Sequence, residues 1–197
     1  MGKAEQTRQY IIEKTSLVFN RKGYAGTSLT DLTKATGLTK GSIYGNFQNK
    51  DEVAIAVFEY NLGLITADIR KEVNSRQSAL DKLLVYPRYY RSIYKSVMQR
   101  GGCPILNTSV ESDDTHPVLR EKVSNAIRSW KNNLVNIINK GMEQGEFATD
   151  IDPGKYADLI IGLVEGGIML SKVTGDPCFI LNAVEDVEHK IETEIAK

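Results

Sequence analysis

"TKGSIYGNFQNK", residues 39–50, carries two lysines, two asparagines, a serine, a threonine, a tyrosine and two glycines, but only Ile43 and Phe47 as purely apolar anchors. Those two stand four apart, so they can fix one face of a short helix and leave the other face polar and basic. Such a helix suits a surface other than its own core. Its neighbours in the chain indicate which surface.

Thr39 is placed to cap this helix, which is expected to run to about Phe47. "TGLT" separates it from a second short helix, with Thr27 or Ser28 as cap, Asp31 in its first turn, Leu29 and Leu32 facing inward, and Gly37 at its end. Upstream, residues 5–22 place Ile11, Ile12, Thr15, Val18 and Phe19 at helical spacing and stop at Gly23. Two short helices joined through a glycine, the second polar and basic, match a helix-turn-helix, whose second helix offers its N-terminal residues to the major groove.

Downstream, a long helix is expected over about 50–75 and another over 78–98, interrupted by Pro87. After the Gly-Gly-Cys-Pro turn at 101–104 come a short helix at 104–112 and a long one at 117–144. Asp152 and Pro153 open a helix to about 174, and Asp176 and Pro177 open the last. No alternating strand pattern of useful length appears. The expectation is an all-α fold of about nine helices, with a three-helix head at 1–49 and a helical body at 50–197.

The formal net charge is zero, but residues 1–50 hold eight Lys and Arg against three acids, +5, and the remainder holds 17 against 22, −5. A basic head on an acidic body suggests that the head meets a polyanion. The first twenty residues lack the apolar run of a signal peptide, and "LIIGLVEGGIML" at 159–170 is too short to span a bilayer and contains Glu165. A cytoplasmic location is expected, with no membrane partner. Cys103 and Cys178 lie far apart, outside any CxxC or CxxH context, so neither a disulfide framework nor a zinc site is indicated.

The run "TSLTDLTKATGLTKGSIYGNFQNKDEV", preceded by "VFNRKGY", resembles the DNA-binding segment of TetR-type transcriptional regulators. The matching positions are Phe19, Gly23, Tyr24, Thr27, Leu32, Gly37, Gly41, Tyr44, Phe47 and Lys50, and the helix order and length extend the resemblance over essentially the whole chain. Thr33 and Thr36 stand where the family usually has alanines, and Asn46 where it often has histidine. The resemblance implies a double-stranded DNA operator, a small-molecule effector and a homodimer as partners, with no cofactor and no metal.

By role, Thr39 and the amides after it would face a phosphate at the helix N-terminus. Lys40, Ser42 and Gly41, the last by close backbone approach, would read base edges, and Tyr44 and Lys50 would hold phosphates. Thr27 and Asn46 complete the expected DNA-contact set, with Asn46 able to change which bases or phosphates are touched.

In the body, Tyr86, Tyr89, Tyr90 and Tyr94 crowd the Pro87 helix and Trp130 lies on a later one. Aromatic clusters at helical spacing serve as core or as pocket, and a tyrosine adds a hydroxyl that can orient a ligand. Tyr86, Tyr90, Trp130, Glu165 and Cys103 are the candidate effector residues. "RGGCPILNTSVESDDTHPVLRE", residues 100–121, and "GDPCFILNAVE", residues 175–185, resemble a TetR subgroup with a Gly-Cys-Pro/Leu turn. Members of that subgroup sense electrophiles, unsaturated acids or planar aromatic compounds. Cys103 is then either a reactive sensor at a helix N-terminus or a small packing residue.

Leu159, Leu163, Gly167 and Leu170 on one late helix, and Ile180, Val184, Val187 and Ile191 on the next, form the apolar stripe expected at a four-helix dimer interface. Gly162, Gly166 and Gly167 hint at close helix approach there. A dimer of this kind favours a palindromic operator, released when ligand shifts the helix after Lys50. Two other readings stay open: a same-fold, DNA-localised adaptor with a protein output, and a thiol-dependent helical enzyme. The sequence offers the enzyme little, because His116 and His189 have no partner at metal-ligand or nucleophile spacing. "ESDD" at 111–114 reads as a solvated turn or, with Glu165, a metal site.

Overall fold

The computed structural model describes residues 2–197, all of whose regular elements are helical. In chain order they are α1 (Lys3–Gly26), α2 (Leu29–Thr36), α3 (Lys40–Tyr44), α4 (Lys50–Ser75), α5 (Ala79–Gln99), α6 (Pro104–Ser112), α7 (Pro117–Glu143), α8 (Pro153–Thr174) and α9 (Cys178–Lys190). A π-turn at Ile191–Ile195 ends the chain's regular structure. Among the described residues the only β-type pairing is an isolated bridge between Phe147 and Ala196. Among the described residues no helix is long and apolar enough to cross a membrane.

Caps set most of these boundaries. Gly23 sits at φ +71° within α1, so the straight helix stops there and a turn follows. Ser28, not Thr27, caps α2 in a reciprocal capping box with Asp31, and Gly37 closes it in the left-handed conformation. Asp152 accepts from the amides of Gly154 and Lys155 to open α8. Two expectations shift. α3 ends at Tyr44, although the amide of Phe47 still donates to the Ile43 carbonyl at 3.1 Å. α5 runs through Pro87 without interruption, because buried Leu83, Leu84, Tyr86 and Tyr90 anchor the turns on both sides of the lost amide bond.

The described residues pack as two units, residues 2–65 with 100–123, and residues 66–99 with 124–197. In the first, Ile11, Phe19, Leu32, Ile43, Phe47, Val53, Val57 and Phe58 share one core. Thr15 and Thr36 are also buried there, their hydroxyls donating back to the Ile11 and Leu32 carbonyls at 2.7 and 2.8 Å.

In the second unit α9 lies against α8 and α5. Ile180, Val184, Val187 and Ile191 are fully buried in this packing, and the Arg91–Glu188 and Arg88–Glu192 pairs tie α5 to α9 and to the π-turn that follows it. Gly167 is required at the α8–α9 crossing: a Cβ there would come within 2.9 Å of Ala183 Cβ and 3.0 Å of Ile180 Cα. Gly141 likewise gives way to the fully buried ring of Phe147. Gly167→Ala and Gly141→Ala are each expected to lower stability by about 1–3 kcal/mol through overpacking. Gly63→Ala, at an exposed helical position with open space, should raise it by about 1 kcal/mol; urea unfolding midpoints check all three.

Candidate nucleic-acid interface

The first unit presents the segment 39–50 as a short helix with its polar side outward. Thr39 caps α3 by accepting the Ser42 amide at 3.2 Å. Ile43 and Phe47 are buried, Thr39, Lys40 and Gly41 are exposed, and Ser42, Tyr44 and Asn46 are half-buried. A Cβ on Gly41 would meet nothing closer than Thr39 Oγ1 at 3.9 Å, so the backbone is open on that side. Five residues cannot sustain a helix alone, and α3 is held from below. Arg8 of α1 donates to the Asn46 carbonyl at 2.7 Å, stacks 4.0 Å from the Phe47 ring centre and pairs with Glu52 at 2.8 Å. Tyr10 donates to the last carbonyl of α2, that of Thr36, at 2.9 Å.

The basic residues of the head divide by partner. Arg8 and Lys22 face acids, Lys22 pairing with Asp31 at 2.6 Å. That ammonium, with the Ser28 bonds, holds the Asp31 carboxyl well below the usual carboxylate range. Lys34 and Lys40 are exposed and enter no ion pair among the described residues. Lys50 is half-buried, its ammonium donating to the carbonyls of Tyr24 at 2.8 Å and Thr27 at 3.1 Å and lying 4.2 Å from the Tyr24 ring centre. Two of its three N–H groups therefore hold the α1–α2 turn, and the third remains for another acceptor. Thr27 is 1% exposed and its hydroxyl donates to the Gly23 carbonyl at 2.6 Å, so this side chain faces inward. Asn46 donates to the Ser42 carbonyl at 2.9 Å.

Beneath the turn, the Tyr24 hydroxyl donates to Asp51, which pushes the phenol up to about 12 and keeps it a donor. His116 packs edge-on against Tyr24 and caps α7, its Nδ1 accepting the Leu119 amide at 3.2 Å. Neither Arg8 nor the Asp51 cluster figured in the sequence reading. Their partners are remote in the chain, and no local spacing announces them.

The expected effector residues separate between the units. Tyr86, Tyr90, Trp130 and Glu165 belong to the second. There Tyr90 and Trp130 stack with ring centres 5.9 Å apart at 28°, Tyr86 is buried, and Trp130 Nε1 is buried without a hydrogen-bond partner. Burial pushes the Tyr86 hydroxyl up to about 12. Glu165 is half-buried on α8. Cys103 belongs to the first unit, where it precedes Pro104 at the start of α6 and is 2% exposed. An open cleft of about 430 Å³ in the second unit is lined by charged residues, among them Asp68, Lys71, Arg76 and Arg88, and by none of these five.

Of the expected dimer residues, Leu170 is exposed, Leu159 and Leu163 are half-buried, and Gly167, Ile180, Val184, Val187 and Ile191 are buried within the protomer. Met169, Val173 and Phe179 add exposed apolar surface beside Leu170. Gly162 and Gly166 have open space about them within the protomer.

A capped, outward-facing polar helix on a three-helix head defines a helix-turn-helix regulator. Residues 11–57 match the bacterial regulatory proteins of the tetR family, and residues 79–189 match the tetracyclin repressor-like C-terminal domain. The chain belongs to the TetR family and is a DNA-binding transcriptional regulator. A TetR-family regulator from Cytophaga hutchinsonii is 48% identical and superposes with a TM-score of 0.93 over 100% of this chain and 98% of its own. One from Chloroflexus aurantiacus is 32% identical, with a TM-score of 0.91 over 100% and 99%. The HTH-type transcriptional repressor DhaR of Mycobacterium sp. (strain GP1) is 27% identical over 168 residues, 84% of this chain and 82% of its own.

Lys50→Ala should lower thermal stability by freeing the α1–α2 turn. It should also weaken binding to all DNA, reducing the salt slope by about one. Lost stability with an unchanged slope, read from binding titrations across salt, would remove the third N–H from the phosphate contacts.

Proposed function

We propose that the protein is a cytoplasmic repressor that binds a palindromic operator as a homodimer and is released by a small molecule. The observation that carries this reading is α3, held from below by Ile43, Phe47 and Arg8 and open above at Thr39, Lys40 and Gly41. In this reading residues 1–49 contact DNA, while residues 50–197 hold effector and pair subunits. Thr39 and the following amides, with Tyr44 and the free N–H of Lys50, take phosphates, and Lys40, Gly41 and Ser42 take base edges. Thr27 supports the turn, and Asn46 tunes the contact through the end of α3.

Pairing would use α8 and the α8–α9 turn. Leu159, Leu163, Met169, Leu170, Val173 and Phe179 provide the apolar surface, and Gly162 and Gly166 allow close approach by a second copy. The effector would be planar and aromatic or unsaturated, seated by Tyr86, Tyr90 and Trp130 with Glu165 as a polar contact, as the Tyr90–Trp130 stack and the unsatisfied indole N–H suggest. Burial of Cys103 favours its packing role within the Gly-Cys-Pro subgroup. Effector binding would change the distance between the two reading helices and so lower operator affinity.

Selection from a random duplex pool at fixed salt is expected to enrich an inverted repeat with half-site centres about 34–36 Å apart, or a multiple. Enrichment of no sequence would overturn the regulator reading, and a direct or single site the palindromic one. In a thermal-shift screen of quinones, unsaturated acids and aldehydes, and flavonoids, stabilising hits should persist in Cys103→Ser. Hits that vanish with the serine would instead make Cys103 part of the sensor.

A further inference from the structure

The open cleft of the second unit, about 430 Å³ and so at the small end of ligand pockets, lies between the last part of α4 and the first part of α5, and every residue that lines it falls within 66–99. Asp68, Lys71 and Glu72 stand three and four apart and share a face of α4; Asp81, Val85 and Arg88 do the same on α5. With Arg76, one residue past α4, the lining holds three carboxylates and three cations. Among the described residues no ion pair crosses the cleft. Arg76 instead pairs with Glu72 Oε2 on its own side at 3.4 Å, and Asp81 accepts from the Ser78 hydroxyl at the start of α5 at 2.8 Å. Arg88 turns to Glu192 at 3.7 Å, too long for a hydrogen bond, which leaves its planar set of donors for another acceptor. Lys71 is exposed and enters no ion pair among the described residues. Tyr89 spans the cleft with its hydroxyl, donating to Asp68 Oδ2 at 3.2 Å. Its half-buried ring and Val85, 6% exposed, supply apolar surface.

A purely anionic ligand would meet three carboxylates in this cleft and a purely cationic one three cations, each with like-charge repulsion. A molecule that carries both charges matches both sets and adds no net charge. We propose that the cleft binds a small zwitterion, an ammonium and a carboxylate joined by a short apolar chain, at a site separate from the residues assigned to the effector. Arg88 and Lys71 take the carboxylate, Arg88 with the two parallel N–H bonds that a guanidinium offers. Asp68 and Glu72 take the ammonium. Each keeps an oxygen for it, Oδ1 of Asp68 and Oε1 of Glu72, because Tyr89 and Arg76 engage the other. The connecting chain lies on Val85 and the Tyr89 ring. This inference does not depend on operator binding, since it is read from occupancy of the cleft alone.

Titration of the full chain with glycine, β-alanine, γ-aminobutyrate and ε-aminocaproate, followed by amide NMR, tests it. These zwitterions hold the same two charges at increasing separation. One length should saturate at the lowest concentration and shift residues 68–76 and 81–92. The matching carboxylate and alkylammonium ion, such as butyrate and butylammonium for γ-aminobutyrate, should bind about tenfold more weakly or worse. Arg88→Gln and Asp68→Asn, both at exposed positions, should each weaken the best zwitterion by about tenfold. Glu192→Gln, which removes the distant partner of Arg88 and leaves the cleft lining intact, should bind it as well as the wild type or better. Either half binding as tightly as the zwitterion overturns the proposal and makes the cleft a simple ion site. Saturation that survives both cleft substitutions, or no saturable shift at any length up to about 10 mM, overturns it as well.

Discussion

A five-residue helix has too few internal hydrogen bonds to offset its nucleation, so everything α3 does depends on the two side chains beneath it. Ile43 and Phe47 are almost free of solvent, and Arg8 covers Phe47 while bonding the carbonyl of Asn46. The position of α3 is therefore inherited from α1, α2 and the first turn of α4. Apart from the Thr39 cap and the Asn46 bond to Ser42, that position owes little to polar residues on the outer side. They are free to be chosen for what they contact.

The same economy of partners explains the charge of the head. Its formal excess of +5 over residues 1–50 overstates what is presented, because Arg8 is paired with Glu52, which lies outside that span, and Lys50 is largely occupied by carbonyls. Asp31 and Glu52 each serve twice, as helix N-terminal caps and as counter-ions. Glu52 accepts the Gln48 amide, which with Arg8 lowers its pKa. Fixed pairs hold the geometry, while Lys34 and Lys40 stay exposed.

Helix boundaries were legible in the sequence because caps act locally. Ser28 with Asp31, Gly37, Thr39, and Asp152 with Pro153 each bond within four residues of themselves, and a reader of the chain sees both partners at once. The anchors Ile43 and Phe47 were legible for the same reason. Glu111 was not: in "ESDD" it looks like a solvated turn, yet its partners are amides 86 and 87 residues away, exposed by the backbone at Gly23. Arg8 and Asp51 were hidden likewise, since their roles arise only when helices cross. Pro87 misled in the opposite direction, its local cost being outweighed by the buried side chains around it.

Periodicity has a further limit on α9. Ile180, Val184, Val187 and Ile191 repeat as a helical stripe, and a stripe announces that a face is covered without saying by which chain. Here α8 and α5 cover it from within the protomer, with Gly167 allowing the backbones to close. What remains apolar and uncovered is the end of α8 and the turn into α9, where Val173 is 80% exposed beside Met169, Leu170 and Phe179. Four large apolar side chains within eleven residues are unusual on a free surface. A second copy would bury them against their own equivalents, as a two-fold axis requires. The buried stripe would then have an indirect part in pairing: by fixing α8 against α9 it fixes the shape of the surface that α8 offers.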